Sequence, residues 1–194
     1  MRHPDEPGPF STGAGQQRDV PLNPGLELTR DQVALWSADG RVFTWLQQKD
    51  DSASARLYVR EGEQAWQAIT PPTEPNQFAL SPDGRSVAVR AQDNVVTIYS
   101  TAGQSPRRLD DERGQPVHWT ADGQLVLLGA ERFPARLYRR HIITGKIEHW
   151  RTIAPPDPSG VMFIGRVFVA ADDQSYVYQY SRGLNELFLV RDVR

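Results

Sequence analysis

The sequence contains no cysteine, so it can form neither disulfide bonds nor thiolate metal sites. Basic and acidic residues are nearly balanced, since 22 basic and 24 acidic residues give a net charge of −2. Lys49 and Lys146 are the only lysines, so arginine carries nearly all the positive charge. Nucleic acids and anionic membranes are usually bound through a basic excess on one face. We therefore expect neither as a partner.

Long apolar runs are missing as well. The first ten residues include three prolines and two acids, and they lack the apolar core of about 7–15 residues that a signal peptide requires. No window approaches the roughly 20 apolar residues that span a bilayer. The chain is therefore expected to be soluble and not to insert into a membrane. As written it would be cytoplasmic, or periplasmic if a larger parent protein supplied a membrane anchor.

What the sequence does contain is a repeat, which ranks before other patterns because it decides the fold. A five-residue turn pattern recurs, and successive copies are separated by steps of 44, 39 and 50 residues between aspartates. These steps are close to the roughly 40–45 residues of a four-stranded propeller blade. The copies are Ser37-Ala38-Asp39-Gly40-Arg41, Ser81-Pro82-Asp83-Gly84-Arg85, Thr120-Ala121-Asp122-Gly123-Gln124 and the degraded Ala170-Ala171-Asp172-Asp173-Gln174.

The surroundings of each copy repeat too. A short apolar stretch precedes the turn, and alternating strands rich in β-branched and aromatic residues follow it, which is the pattern of antiparallel hairpins. Asp-Gly suits such a reversal because Gly tolerates positive φ and Asp can stabilise the turn through its side chain. We therefore interpret Asp39, Asp83 and Asp122 as turn residues rather than catalytic acids. No amphipathic helix of useful length is found.

These features predict an all-β fold: a β-propeller or partial propeller of about four four-stranded blades. The blades fall at about 31–70, 77–110, 116–153 and 160–194, and residues 1–24, rich in Pro, Gly, Ser and Gln, form a flexible tail. The repeats favour a small closed ring, an open arc or part of a larger propeller. An open arc would expose strand edges and allow a homodimer.

The fourth copy departs from the others. Asp173 stands where the turn Gly is expected, which leaves room for a longer turn. Strands are predicted at 161–164, 167–169, 175–180 and 186–190, with no outer strand to complete the blade. Propellers often close by borrowing a strand from the other terminus, and residues 25–30 are the predicted donor.

Two stretches resemble known families. The segment Phe78-Ala79-Leu80-Ser81-Pro82-Asp83-Gly84-Arg85-Ser86-Val87-Ala88-Val89 resembles the TolB-like branch of the WD-repeat-like propellers. The segment Ala154 to Val161, then 173–178 and 186–190, resembles the C-terminal propeller of acidobacterial-type serine/threonine protein kinases. This resemblance covers roughly residues 30–194.

The resemblance implies a propeller appended to a kinase, with a sensory or protein-binding role. It carries over no kinase chemistry, because the sequence holds no phosphate-binding Gly-rich loop, no His-Arg-Asp and no Asp-Phe-Gly. Gly13-Ala14-Gly15 is only a fragment of such a loop.

Candidate catalytic and metal-binding residues are few. Ser159-Gly160 lies in a proline-rich loop and lacks the G-x-S-x-G elbow of propeller-containing hydrolases. Among the histidines (His3, His118, His141 and His149), the last two flank the Thr144-Gly145 turn and could meet across a hairpin. A zinc site would still need a third ligand, so strand histidines of structural role are the favoured interpretation.

Charged clusters have two interpretations as well. Arg107-Arg108 and Arg139-Arg140-His141 suit a phosphate or acidic peptide, since Arg forms bidentate pairs with such groups, but solvated strand faces are favoured. Asp50-Asp51 and Asp110-Asp111-Glu112 suit a cation but lack the ligand spacing of a calcium loop.

Two tryptophans hold equivalent places. Trp36 and Trp119 each precede the Ser or Thr of their turn, and Leu80 is the second-blade equivalent. Identical placement in an apolar strand predicts core packing between blades, with ligand stacking as the alternative. The loops at one mouth of the central channel are the expected interaction surface.

The sequence thus predicts a non-enzymatic protein-interaction or sensor module, with no catalytic, cofactor or metal residue assigned and a protein or peptide as partner. The alternative is a propeller hydrolase or lactonase with a metal or acid site in the central channel. A third interpretation is a decayed fragment, which would unfold with poor cooperativity.

Overall fold

The computed structural model describes residues 20–30, 33–74, 76–90, 93, 95–109, 114–129 and 133–183. All regular secondary structure in these ranges is β, which confirms the predicted all-β class. The described part of the chain also contains no helix long and apolar enough to cross a membrane. The strands are β1 Leu26–Leu28, β2 Ala34–Trp36, β3 Val42–Gln48, β4 Asp51–Arg60, β5 Gln67–Ala68, β6 Phe78–Leu80, β7 Ser86–Arg90, β8 Val96–Ser100, β9 Arg107–Leu109, β10 Gln115–Trp119, β11 Gln124–Leu128, β12 Ala135–His141, β13 Ile147–Ile153, β14 Val161–Val169 and β15 Tyr176–Arg182.

These strands form four antiparallel sheets in chain order. Sheet 1 contains β1–β5, sheet 2 runs β6-β7-β8-β9, sheet 3 runs β10-β11-β12-β13, and sheet 4 pairs β14 with β15. Sheets 2 and 3 are therefore simple meanders. The two strands predicted at 161–164 and 167–169 are one strand, β14, with an irregularity in its pairing between Ile164 and Val167. The strand predicted at 186–190 lies outside the described residues.

The beginning of the chain belongs to sheet 1. Both β1 and β2 pair with the same edge of β3: Leu28 lies opposite Leu46, and Ala34 lies opposite Thr44. The prediction that residues 25–30 complete the last unit is therefore wrong. These residues lengthen the first edge of sheet 1 instead, because β3 extends to Gln48 and offers hydrogen-bonding groups beyond the reach of β2.

Successive sheets pack face to face, and each contact holds an apolar cluster. Between sheets 1 and 2, Trp45 meets Phe78 edge-on with ring centroids 6.3 Å apart, a geometry worth about 0.5–1.5 kcal/mol beyond simple burial. A second cluster joins sheets 2 and 3, and a third joins sheets 3 and 4. Strand alternation explains this layering, because period-2 apolar residues supply both faces of a sheet that has a neighbour on each side.

The two ends of this series differ. The outer face of sheet 1 is covered by residues 20–26, where Leu22 and Leu26 pack on an apolar cluster that includes Trp66. The Pro21 carbonyl accepts hydrogen bonds from Trp66 Nε1 at 3.0 Å and from Arg60. Residues 20–24, assigned to the tail from sequence, thus contact the first sheet.

The outer face of sheet 4 has no such cover among the described residues. Phe168 and Val177 lie opposite each other on neighbouring strands and are both exposed, Val177 by 65%. The series of sheets therefore ends on an apolar surface at one side only.

The repeated turns share one hydrogen-bonding scheme. In the first three, the amide of the Gly donates to the carbonyl of the Ser or Thr, and Gly40, Gly84 and Gly123 have φ of 85°, 66° and 79°. Asp173 takes the equivalent place in the fourth turn with φ 56°. The reversal there spans one residue more than in the first and third turns and the same as in the second.

The aspartates of these turns accept hydrogen bonds from the turns themselves. Ser37, Ser81 and Thr120 each donate their hydroxyl to the aspartate two residues on. For Asp83 this bond is 2.6 Å long, and the Arg85 amide adds a second at 3.0 Å. These two bonds, with the Ser81 hydroxyl first, hold the pKa of Asp83 below its usual value because they favour the ionised form.

We expect Asp83→Asn to lower the free energy of unfolding at pH 7 by on the order of 1 kcal/mol, since a charged acceptor is lost at a partly exposed site. A carboxyl with a lowered folded-state pKa stabilises the fold above its unfolded pKa, about 3.9, and this stabilisation fades as the pH falls through the folded value. The gap between wild type and variant should therefore shrink from pH 7 to pH 3. Urea unfolding at both pH values measures it.

The matched control is Glu63→Gln, which removes a charge from an exposed carboxyl outside the repeated turns. It should change the unfolding free energy by less than about 0.5 kcal/mol at either pH. A deficit in Asp83→Asn that stayed constant down to pH 3 would show that the carboxylate charge plays no part in the turn.

Candidate functional site

Strand β2 of sheet 1 and the first strands of sheets 2, 3 and 4 meet at one place. β10 lies beside both β6 and β14, and the ends of β2, β6, β10 and β14 surround a cavity of about 460 Å³. The turns that follow these strands border the same cavity. The sequence repeat therefore brings four equivalent segments together at one site.

Repeat-equivalent residues supply most of the wall. Three positions of the repeat line the cavity in all four copies. They are the two residues that precede the first residue of the turn pattern (Ser37, Ser81, Thr120 or Ala170) and the one residue that follows it. In chain order these sets are Trp36, Leu80, Trp119 and Val169; Leu35, Ala79, His118 and Phe168; and Ala38, Pro82, Ala121 and Ala171. The wall is predominantly apolar, with two large aromatic side chains from the first sheet and the last.

The two equivalent tryptophans have different environments. Trp119 is 9% exposed and packs between sheets 2 and 3, as predicted. Trp36 is 65% exposed, so the prediction of core packing is wrong for it. The reason is its position in the series: Trp119 packs against the preceding sheet, and within the described residues no sheet precedes the first one. The indole of Trp36 is therefore available at the cavity.

A polar pair bridges sheets 3 and 4 beside the cavity. His118 Nε2 lies 2.6 Å from Asp173 Oδ1, and both side chains are about one-fifth exposed. Asp173 Oδ2 also accepts from the Ala121 amide at 3.4 Å. His118 lies at a bulge in β10, where the pairing with β11 shifts between Pro116 and His118. Bulges re-aim side chains, and they recur near functional sites.

This pair was not singled out from the sequence, although a signal was present. Asp173 replaces a turn Gly, and positive φ is unfavourable for a residue with a Cβ, though Asp tolerates it better than most. His118 replaces the apolar residues of the other copies. Both departures from the repeat meet at one hydrogen bond, which links the last two sheets.

Gln77 is the second polar group in the wall. It precedes β6, is only 3% exposed, and lines the cavity. Its Nε2 donates to the Val167 carbonyl, which ties sheet 2 to sheet 4. Its Oε1 is buried and has no hydrogen-bond partner among the described residues. Buried acceptors are rarely left unpaired in proteins, so this atom is a candidate contact for a ligand donor.

The candidate zinc pair is not assembled. The register of sheet 3 places Tyr138, not His141, opposite His149. His141 Nδ1 accepts from the Thr144 amide at 3.2 Å, while the His149 ring lies 3.0 Å from Thr152 Oγ1. No group of three or more His, Asp or Glu side chains in the described ranges could hold a metal ion. His3 lies outside those ranges.

The charged clusters have structural contacts away from the cavity. Arg108 forms an ion pair with Asp93 at 2.7 Å, and Arg107 donates to the Ile142 carbonyl at 2.7 Å. Arg139 lies 4.5 Å from the centre of the Trp150 ring. Asp51 accepts from the Ala53 amide within its own turn. Residues 110–112, the other acidic cluster, lie outside the described residues.

The proline-rich loop that contains Ser159 and Gly160 also lies away from the cavity. The Ser159 amide donates to Asp157 at 3.0 Å, and neither Ser159 nor Gly160 lines the cavity. The loop is further tied to β15 through Arg182, which pairs with Asp157 at 3.1 Å. The structure therefore places Ser159 in a loop away from the cavity, with Asp157 as its hydrogen-bond partner.

The cavity is thus the one place where the repeat, the exposed indole and the two polar departures from the repeat coincide. The similarity to TolB-like and kinase-attached propellers stays a prediction from the sequence. In comparison with known proteins, the chain matches no protein-family model and no curated protein.

Proposed function

We propose that the chain is a four-bladed β-propeller arc that works as a non-enzymatic protein-interaction module and receives its partner at the cavity. The observation that carries this proposal is the exposed Trp36 in a wall built from equivalent residues of four sheets. Antiparallel sheets stacked in chain order, with β2, β6, β10 and β14 around one cavity, support the propeller part of the proposal. Each of the four sheets then corresponds to one blade.

The composition of the cavity favours binding over catalysis. Its volume of about 460 Å³ lies within the range of ligand pockets, roughly 300–1,000 Å³. Large aromatic side chains with an exposed face are the usual anchors of interfaces, because they desolvate much apolar area at little entropic cost. Trp36 and Phe168 offer such faces from the first and last sheets. A peptide segment with a large apolar side chain fits these features.

The resemblance in the sequence supports a context for this module. The segments 154–161 and 173–178 resemble kinase-attached propellers, and this resemblance supports a position at the C-terminal end of a serine/threonine kinase-type protein. There it would act as a sensor or scaffold. The kinase motifs themselves are missing from this sequence.

One observation favours the second candidate function, a propeller hydrolase or lactonase. A histidine oriented by a carboxylate, as in His118 and Asp173, is the arrangement of a general base. Such a base still needs a nucleophile or an activated water. The serines at the cavity, Ser37 and Ser81, donate their hydroxyls to their own turn aspartates instead. We therefore keep binding as the proposed function.

We expect Trp36→Ala to abolish partner binding without unfolding the chain. Peptides selected from a random phage-displayed library on the wild-type protein should bind the variant at least tenfold more weakly, since truncating an anchor costs about 2 kcal/mol or more. Its unfolding free energy should change by less than about 0.5 kcal/mol, because the indole is exposed. Isothermal titration and urea unfolding measure the two effects.

Trp119→Ala is the matched comparison. The same substitution at the equivalent but buried position should cost about 3–5 kcal/mol of stability, because it leaves a cavity between sheets 2 and 3. Selected peptides that bind the wild type and Trp36→Ala with equal affinity would show that the cavity is not the interaction site.

We expect the wild-type chain to hydrolyse none of a panel of aryl esters and lactones above the buffer rate. Spectrophotometric assays at neutral pH suffice, with His118→Ala as the matched variant. Turnover in the wild type that disappears in His118→Ala would establish the enzyme alternative instead. Equal background rates in both proteins are the expected result.

A further inference from the structure

The cavity wall is apolar except where a few polar side chains enter it, and these differ in what they can still bind. Ser37 and Ser81 border the cavity, but their hydroxyl hydrogens are already donated to Asp39 and Asp83. Gln77 and His118 also line the cavity, and the Oε1 of Gln77 is a buried acceptor without a partner in the described structure. The wall can therefore still receive a hydrogen bond at Gln77.

The contact with Asp173 indicates which ring nitrogen of His118 donates a hydrogen bond. An ionised carboxylate only accepts, so the His118 Nε2 that lies 2.6 Å from Asp173 Oδ1 must carry a hydrogen. In the neutral ring this leaves Nδ1 as an acceptor. Asp173 is thus a positioning residue, which sets the tautomer of His118 and fixes the ring between sheets 3 and 4.

Gln77 gives a second acceptor by the same logic. Its amide orientation is set by the bond from Nε2 to the Val167 carbonyl, so Oε1 is the end without a partner in the described structure. With 3% of the residue exposed, bulk water reaches this atom poorly. A buried acceptor in this state is unfavourable unless a donor reaches it.

The rest of the cavity wall indicates which chemical group of the ligand carries the hydrogen-bond donor. Trp36 and Phe168 are both exposed and line the cavity, so flat apolar surfaces are available from two sides of the series. Aromatic rings pack on such surfaces in offset or edge-on geometries. The carboxylate of Asp173 beside His118 disfavours an anionic group.

We propose that the cavity selects an aromatic group that bears a hydrogen-bond donor, with the indole side chain of a partner peptide as its best occupant. The ring packs against Trp36 and Phe168, and the N–H reaches the unpartnered Oε1 of Gln77. This inference rests on the proposed binding function and adds the chemical class of the ligand.

Two probes of nearly equal shape test it: indole and 1-methylindole, which lacks the N–H. Each is titrated into the ¹⁵N-labelled wild-type chain, and binding is followed by the cross-peak of the Trp36 indole, assigned with Trp36→Phe. We expect indole to bind about tenfold more tightly than 1-methylindole. We expect Gln77→Met to reduce this preference to within about twofold, while the exposed Gln67→Met leaves it unchanged.

Each other result overturns the inference in a distinguishable way. Equal affinity of the two probes would show that no donor is recognised, while binding at Trp36 would still support the interaction site. No shift of Trp36 with either probe, alongside phage-selected peptides that require Trp36, would show that the site takes another chemical class. The comparison on the wild-type chain decides the matter even if Gln77→Met, which also loses the bond to Val167, does not fold.

Discussion

A short turn with one residue at positive φ follows β2, β6, β10 and β14, one strand of each sheet, and the cavity depends on its geometry. Because the reversal is tight, the last residues of β2, β6, β10 and β14 lie at the same depth in the fold. The Ser or Thr hydroxyl and the Asp carboxylate satisfy each other inside the first three turns, so Ser37 and Ser81 border the cavity with their hydroxyl hydrogens already donated. The residue after the Ser or Thr also lines the cavity, and it is Ala or Pro in the first three copies and Ala in the fourth.

The second determinant is that the sheets form a series with two ends. An interior sheet has a neighbour on each face, so apolar residues on both of its faces join the clusters between sheets. The first and last sheets lack that neighbour within the described chain. Residues 20–26 cover one end, whereas Trp36 at the cavity and Phe168 on the last sheet remain exposed. The features that suit a binding surface therefore arise where the repeat is interrupted, rather than where it is regular.

The repeat explains how much of this architecture is predictable. Asp-Gly turns and period-2 strands are local signals, and the ranges predicted from them, about 77–110 and 116–153, contain nearly all of β6–β9 and β10–β13. Pairing partners are not local. The sequence gives no indication that β3 continues to Gln48, so the assignment of residues 25–30 to the last unit fails. Register likewise separates His141 from His149, because the pairing of β12 with β13 places Tyr138 opposite His149.

The candidate site was likewise predictable from the sequence only where local signals mark it. Sequence alone marks Trp36 and Trp119 as equivalent, but burial depends on which sheet lies beside each, and that is a tertiary property. The sequence does not mark Gln77, because its hydrogen-bond partner, the Val167 carbonyl, lies 90 residues further along the chain. Asp173 does give one, as a missing Gly, yet its meaning appears only when His118 from another sheet is found beside it.

Asp173 also shows why an unfavourable residue can persist in a regular fold. Gly at this position would remove up to about 1 kcal/mol of backbone strain from the positive φ. The other three turns have Gly at the equivalent place. Replacing Asp173 by Gly would also remove the carboxylate that bonds to His118 Nε2 and to the Ala121 amide. Hydrogen bonds to a charged group at a partly buried site contribute a comparable amount, so the exchange is nearly neutral for stability. What differs is the cavity: with Asp173 present, the ring of His118 is held in one orientation beside it. Stability alone does not select between the two residues, whereas the recognition proposed for the cavity favours Asp.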